Sequence, residues 1–134
     1  MPLQLEIVTP EAKIYSEAVD MVTLPGVEGE MGIFPNHVPL MTQVTAGEVI
    51  ARKAGQNYHL AIGDGFVEIT GDRVAILTDM GIRADDIDEA KAEEARKKAE
   101  ARLQEKLSDE ESASVSAALA HSLAQLKVKR RNRS

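Results

Sequence analysis

The chain contains three histidines, the side chain used most often for acid–base catalysis and for metal binding, but they lie far apart. His37, His59 and His121 have neither the spacing of a metal site nor a nucleophile motif beside them. The Gly-x-Ser-x-Gly turn of hydrolases, the phosphate-binding loop of nucleoside triphosphatases and the His-Glu-x-x-His zinc motif are all missing. The sequence therefore predicts a protein that is not an enzyme and that holds no metal.

A run of glycines and prolines between residues 24 and 40 is the most unusual feature of the chain. It reads LPGVEGEMGIFPNHVPL, with glycines at 26, 29 and 32 and prolines at 25, 35 and 39. The glycines are not followed by a helix, so the run is not a phosphate cradle. Because Met31, Ile33, Phe34 and Leu40 are apolar residues among turn-forming ones, we predict a surface loop that docks onto a partner.

Five basic residues crowd into the last eight positions: Lys127, Lys129, Arg130, Arg131 and Arg133. One interpretation is a solvated helix end whose charges complement the helix dipole. A second interpretation, binding to lipid headgroups or nucleic acid, is disfavoured by the acidity of the rest of the chain. The dipole benefit reaches only the last turn, so five charges predict that some of them serve an external acidic surface.

The overall charge and composition exclude several classes of function. The net charge is −6 and the sequence pI is about 5.1, which argues against a nucleic-acid partner. There is no cysteine, so neither disulfides nor cysteine metal sites are expected. The first residues lack the features of a signal peptide, and no apolar stretch approaches the length of a membrane span. Membrane association is therefore expected only through a partner.

Short alternating segments separated by turn residues fill the chain up to about residue 80. Leu3, Leu5 and Ile7 alternate with residues of the opposite face. Similar segments follow at Ala12–Tyr15, Val19–Leu24, Val38–Val44, Glu48–Arg52, Tyr58–Ile62, Phe66–Ile69 and Val74–Thr78. Many short strands of this kind predict an antiparallel β-sandwich or barrel over residues 1–84.

Residues 85–134 have the composition of helices. Neither Gly nor Pro occurs from 85 to 107, which predicts a helix over about 86–107 with Asp85 as its cap. Ser108 and Glu111 form a capping box that opens a second helix over about 109–130. The short link makes the two helices an antiparallel hairpin. The predicted fold is a β-sandwich or barrel followed by an α-helical hairpin, an α+β protein of two small domains.

The predicted apolar stripes of the hairpin are thin: Ala92, Ala95, Ala99, Leu103 and Leu107 on the first helix, and Val115, Ala118, Leu119, Leu123 and Leu126 on the second. Each large apolar side chain contributes roughly 1.5–3 kcal/mol at most. Ordering the backbone costs about 1–2 kcal/mol per residue. We therefore expect a marginal helical arm that is able to open, and the sequence leaves its resting position undecided.

The run at residues 24–40 resembles the signature segment of the epsilon subunits of F-type ATP synthases, Leu-Pro-Gly-x-x-Gly-x-x-Gly-Ile-x-Pro-x-His-x-Pro-Leu. Every fixed position of that pattern is filled here, and the resemblance extends over the whole chain. It implies a central-stalk subunit that joins the gamma subunit and couples the proton-driven proteolipid ring to the catalytic alpha/beta head. Such a subunit carries no chemistry itself and lies at the cytoplasmic face of the bacterial cell membrane.

The resemblance also implies roles for single residues. Glu30, Met31 and Gly32 would face the proteolipid ring, and Ile33 and His37 complete the interface, with His37 near the gamma subunit. The plainer alternative is a solvent-facing turn glutamate and a histidine bonded to nearby backbone. On the same resemblance, the basic tail would meet the catalytic subunits when the arm extends and blocks ATP hydrolysis.

A second motif, Ile87-Asp88-Glu89-Ala90-Lys91-Ala92, resembles the Ile/Leu-Asp-x-x-Arg-Ala of bacterial relatives that bind ATP between the helices. Lys91 replaces the arginine and cannot form its planar fork. The second helix also has no Lys or Arg between Glu111 and Lys127. Asp88 and Lys91 are therefore candidate ATP residues, but a capped helix start is the favoured interpretation, and no cofactor is expected to be required.

A rival hypothesis is a free-standing module that binds a small ligand or nucleotide and uses the hairpin for regulation. Such a module would need a concave site lined by aromatic residues. The chain has only Tyr15, Tyr58, Phe34 and Phe66 for that purpose, and no Trp.

Overall fold

The computed structural model describes residues 2–132, which form ten strands, a single 3₁₀ turn and two helices. The strands are β1 Leu3–Val8, β2 Lys13–Val19, β3 Met21–Gly26, β4 Gly29–Ile33, β5 His37–Val44, β6 Gly47–Lys53, β7 Gln56–Ile62, β8 Gly65–Gly71, β9 Arg73–Thr78 and β10 Gly81–Arg83. The 3₁₀ turn Ala84–Asp86 precedes α1 Glu89–Leu103 and α2 Asp109–Asn132.

All ten strands belong to one sheet that curls into a nearly closed sandwich. The strand order is β10-β7-β6-β3-β5-β8-β9-β1-β2, and β4 pairs with β3 beside this path. The pairing of β1 with β9 is parallel, and the other described pairs are antiparallel. The predicted fold class, a β-sandwich or barrel followed by a helical hairpin, is confirmed.

Strand β1 shows why the alternating segments fold as predicted. Leu3, Leu5 and Ile7 have no exposed surface, whereas the residues between them are partly exposed. A side-chain period of two places every second residue on the same face, so these three enter the core. Residues from the other strands of the sandwich complete that core: Val22, Leu24, Ile33, Val49, Leu60, Ile62, Val67, Ile69, Val74 and Ile76.

The glycine-rich run is not a loop, as the sequence suggested, but contains a β-hairpin. Strand β4 pairs with β3, with Gly26 opposite Gly29 across a two-residue turn. A Cβ at Gly26 would lie 2.8 Å from the carbonyl oxygen of Gly29, and Gly29 itself has a φ of 130°. Both positions therefore require glycine. Since glycine weakens the alternation that reveals a strand, β4 was hidden in the sequence.

The first helix is shorter than predicted and is capped by a different residue. It begins at Glu89, and the side chain of Asp88, not Asp85, accepts a hydrogen bond from the backbone N–H of Lys91 at 3.1 Å. Ile87 is extended and buried beneath the arm, and this interrupts the helical path after the 3₁₀ turn. The helix ends at Leu103, four residues before the predicted end.

The second helix begins where the capping box predicts. The backbone N–H of Glu111 donates to Ser108 Oγ at 3.1 Å, and the backbone N–H of Ser108 donates to Glu111 Oε1 at 3.3 Å. Its predicted apolar stripe is only partly correct, because Leu123 is 48% exposed and Ala118 is also exposed. On α1, Ala95 of the predicted stripe is exposed as well.

The predicted stripe of α2 is partly wrong because this helix packs against two surfaces, α1 on one side and the sheet on the other. Its buried residues are Ser122, Ala124, Leu126 and Val128. Ala124 and Val128 join Ala61 of β7, Ala84 and Ile87 in a small second core between arm and sandwich, with Met80 and Ile82 at its border. The helical arm is thus folded against the outer face of β6 and β7.

Candidate docking surfaces and the contacts of the helical arm

The predicted interface residues on β4 alternate between solvent and core. Glu30 and Gly32 are exposed, and Met31 is half-buried against the core. Ile33 is fully buried, so its side chain is not available to a partner, and that part of the predicted interface is corrected. The cause is the strand period: a residue two positions from Met31 points inward with it.

A groove connects the tip of the β3–β4 hairpin with β5. Glu30 and Met31 line it together with Leu40 and Thr42, around a cavity of about 330 Å³. Leu40 is 38% exposed there. The structure thus brings residues from both ends of the glycine-rich run to one concave surface.

His37, at the start of β5, is half-buried and bonded locally. Its Nδ1 donates to the carbonyl oxygen of Val38 at 2.7 Å. This bond matches the plainer interpretation of the histidine as one bonded to nearby backbone. Beside it, Phe34 is 59% and Val38 is 72% exposed, so the neighbouring surface is apolar.

An apolar patch on the outer face of the sheet was missed in the sequence. It consists of Met41 on β5, Phe66 on β8 and Leu77 on β9, each more than half exposed. Phe66 lies directly opposite Leu77 in the strand register, and Met41 is on the same face two residues from the partner of Phe66. A signal was present: Phe66 and Val67 are adjacent, so both cannot point into the core.

The basic tail is largely engaged within the chain itself. Arg130 bridges to α1, with Nε 3.0 Å from Glu89 Oε2 and Nη2 3.0 Å from Glu93 Oε2. The bond to Glu89 is the main cause that raises the pKa of Arg130. The pKa of Glu93 is lowered, first by its hydrogen bond with Arg96 and further by Arg130.

Two more tail residues contact the sandwich or the 3₁₀ turn that precedes α1. Arg131 Nη1 lies 2.5 Å from Glu48 Oε1 on β6, and Lys129 Nζ donates to the carbonyl oxygen of Ala84 at 3.2 Å. The side chain of Lys127 is exposed and has no hydrogen bond or ion pair with the described residues. Arg133, the fifth predicted tail residue, lies outside the described residues.

A separate polar contact lies midway along α2. His121 Nε2 is 3.1 Å from Asp79 Oδ1, in the loop between β9 and β10. The pair closes over Gly63, where a Cβ would lie only 1.9 Å from Asp79 Oδ1 and 2.7 Å from His121 Nε2. Neither His59 nor His121 stands alone in three dimensions, since each pairs with a carboxylate.

The candidate ATP residues are arranged as a helix start. Asp88 uses its carboxylate to cap α1, and Lys91 is exposed on the first turn. Ile87 of the same motif is buried in the core between arm and sandwich.

One cavity contains both tyrosines, the feature that the rival ligand-binding hypothesis needs. It has a volume of about 360 Å³ and is bordered by Tyr15, Tyr58, Lys53 and Arg83. Two of its cations already have partners, because Lys53 Nζ lies 2.7 Å from Glu17 Oε1, and Arg83 lies 4.0 Å from Glu17 Oε2 and 5.0 Å from the ring centre of Tyr15. Within residues 2–132, no three metal-ligating side chains converge, and neither helix is long and apolar enough to cross a membrane.

These features define a class of protein: a β-sandwich with exposed apolar surface on some strands and a helical arm folded over others. Two family models match the chain, the β-sandwich domain of the ATP synthase delta/epsilon chain over residues 2–84 and its long α-helix domain over residues 85–130. The ATP synthase epsilon chain of Herpetosiphon aurantiacus is 47% identical over 135 residues, which cover 99% of each chain. That of Dehalococcoides mccartyi is 44% identical over 132 residues, covering 98% of this chain and 94% of the relative.

The chain belongs to the ATP synthase delta/epsilon chain family, and its curated relatives place it among the epsilon chains, as a subunit of that complex. The fold is shared with a chain in the structure of Euglena gracilis mitochondrial ATP synthase, with a TM-score of 0.76 at 23% identity over 94% of this chain and 79% of that one. Family membership links the chain to ATP synthesis and proton transport.

Proposed function

We propose that this chain is a non-catalytic central-stalk subunit that joins the gamma subunit and the proteolipid ring and couples them to the catalytic alpha/beta head. The apolar patch of Met41, Phe66 and Leu77 carries the proposal. Three large apolar side chains more than half exposed on adjacent strands are typical of a surface that a partner covers. Such a subunit would reach the cytoplasmic face of the bacterial cell membrane only through the complex.

The positions of the patch and the arm support separate roles for the sandwich and the arm. The patch lies on β5, β8 and β9, whereas the arm covers β6 and β7, and β3 separates the two sets in the strand order. A partner bound to the patch would therefore leave the arm free to move. The sandwich acts as the permanent joint and the arm as the switch.

The hairpin tip and the groove beside it form the proposed contact with the ring. Glu30 and Gly32 are exposed, and Met31 lines the groove with Leu40. His37, close to the exposed Phe34 and Val38, would approach the gamma subunit. Ile33 supports the hairpin from the core and makes no contact of its own.

The arm would inhibit ATP hydrolysis when it leaves the sandwich and extends to the catalytic subunits. The cations of α2 are the means of attraction. In the folded position Lys129, Arg130 and Arg131 have partners within the chain, so they become available to another acidic surface only after the arm opens.

No nucleotide is required for the folded arm, in our proposal. Asp88 is committed to capping α1, and Lys91 lacks the fork of an arginine. The carboxylates of Glu89 and Glu93 already compensate Arg130. Calorimetric titration of the isolated chain with ATP should give no saturable heat, and a stoichiometric binding heat would refute this part of the proposal.

Co-assembly with the complex tests the docking proposal. The variant Phe66→Glu places a charge in the apolar patch, and we expect it to reduce recovery of the chain with the membrane-bound synthase while the isolated chain stays folded. The matched control is Leu123→Glu on the arm, a residue of similar exposure outside the patch (48% against 53%). Equal recovery of both variants would contradict docking through the patch.

A further inference from the structure

Glu48, at the start of β6, is the one buried carboxylate in the part of the chain that the structure describes. Its side chain is only 4% exposed. Removing a carboxylate from water is unfavourable unless charged or hydrogen-bonding partners replace the water. The partners of Glu48 therefore decide whether this local structure is stable.

Each oxygen of Glu48 has its own partner, and the two partners come from different parts of the chain. Nδ1 of His59 lies 2.9 Å from Oε2, and Nη1 of Arg131 lies 2.5 Å from Oε1. His59 is on β7, opposite Ile50 and so two residues from Glu48 on the same face of the sheet. The sheet thus supplies half of the site, and the last turns of α2 supply the other half.

The docked arm covers the part of the sheet on which Glu48 lies. Glu48 is in register with Ala61, whose side chain has no exposed surface because Ala124 and Val128 pack over it. If Arg131 were missing, a docked arm would leave one buried oxygen of Glu48 without its charged partner. The open arm would avoid this penalty, since Glu48 would then be hydrated.

The apolar part of the docked interface is too small to dominate this balance. Three of the five buried residues in the core between arm and sandwich are alanines. Small side chains bury little area and contribute little to the free energy of docking. A single charged pair at the end of the arm is therefore able to shift the equilibrium substantially.

We propose that Glu48, held by His59, is the positioning residue that sets the docked fraction of the arm by capturing Arg131. In the open arm, the guanidinium of Arg131 would be available to another acidic surface. Arg131 cannot bind Glu48 and that other surface at the same time. The inference refines the arm portion of the proposed function, but it rests on a contact within the isolated chain.

The docked fraction can be measured directly in the full-length isolated chain. Because the chain has no cysteine, cysteines introduced at the exposed positions Gln56 and Ala113 would carry a pair of spin labels without competition. One label would report on the sandwich and the other on α2. Distance distributions then separate docked from undocked molecules.

Three variants test the role of the pair. We expect Arg131→Gln to lower the ratio of docked to undocked molecules at least about tenfold, in line with the loss of a hydrogen bond to a buried charge. The matched control Lys127→Gln removes the same charge nearby on α2, from a side chain without a docked partner among the described residues, and should change the ratio less than about twofold. The double variant Glu48→Gln/Arg131→Gln should dock better than Arg131→Gln, because it no longer buries a carboxylate that has lost its arginine partner.

Two results would overturn the inference: an Arg131→Gln arm that docks like the unmodified chain, or a double variant that docks no better than Arg131→Gln. Circular dichroism of each variant checks that the sandwich remains folded. The spin-label distances are measured in the isolated chain, so they do not depend on whether Phe66→Glu loses co-assembly with the synthase. The inference and the proposed docking function therefore fail separately.

Discussion

The sandwich and the arm are stabilised by different interactions. The sandwich has a continuous core in which nine leucine and isoleucine side chains, from Leu3 to Ile76, are essentially inaccessible to solvent. The arm is attached to it by a small alanine-rich core and by polar contacts at His121, Lys129 and Arg131. Apolar burial is not weakened by ionic screening, whereas exposed ion pairs are screened within about 8–10 Å at physiological ionic strength.

The difference explains how one short chain can combine a permanent joint with a movable part. A large core makes the sandwich resistant to local opening. The arm is held by few contacts, so the free energy needed to open it is lower. The same comparison predicts that substitutions in the two regions will have effects of different size and kind.

The largest effect is expected from a cavity in the sandwich. Leu5→Ala removes most of a side chain with no exposed surface and should lower the free energy of unfolding by about 2–5 kcal/mol. The matched control Leu123→Ala, at a residue 48% exposed on the arm, should change it by less than about 0.5 kcal/mol. Urea titrations followed by circular dichroism measure both, and equal losses would mean that the two regions do not differ as described.

A smaller effect, confined to the arm, is expected from the capping box. Ser108→Ala removes the acceptor for the backbone N–H of Glu111 and should destabilise the start of α2 by about 0.5–2 kcal/mol. Amide hydrogen exchange should then accelerate in the first turns of α2 and stay unchanged in β1 and β9. Ser116→Ala, an exposed serine inside the same helix, is the control and should not accelerate exchange.

Low pH should destabilise the helical hairpin, and each carboxyl group should contribute less to this loss of stability than Ser108→Ala does. The pKa of Glu93 is lowered mainly by Arg96, and that of Glu111 by its bonds with Ser108, both from the ordinary glutamate value of 4.5. A carboxyl whose pKa is lower in the folded state stabilises that state above its unfolded pKa, and the benefit is lost as the pH falls through the folded pKa.

The helical circular dichroism signal should therefore weaken below about pH 4.5, before the strand signal does. The sandwich also contains carboxyls with lowered pKa values, Glu6 beside Lys13 and Glu17 beside Lys53. Its apolar core is nevertheless expected to persist under the same conditions. Simultaneous loss of both signals would contradict the difference between the two regions.

The sequence was sufficient where the cause of a feature is local. Alternation in Leu3–Val8 predicted a strand, and Ser108 with Glu111 predicted a helix start, because both patterns depend on neighbours a few residues away. It was insufficient for β4, where glycines needed for close approach weaken the alternation. The start of α1 was misplaced because Ile87 is buried by a helix that follows it in the chain.

The candidate site was harder to predict because its parts come from distant positions. Glu48 and Arg131 are 83 residues apart, and no local pattern connects them. One signal was available in Leu60-Ala61-Ile62, where consecutive apolar residues imply that both faces of a strand are covered. It indicates that something packs on β7 without identifying α2.

The most direct test of the account is a chain that ends at Ala84, compared with the full-length chain. Among the described residues, the sandwich core contains none from the helices, so the truncated chain should keep the slow amide exchange of β1, β8 and β9. It should also co-assemble with the synthase and support proton-driven ATP synthesis, since the apolar patch is intact. An unfolded truncated chain, or a folded one that no longer assembles, would contradict the claim that the sandwich is the joint and the arm a separable switch.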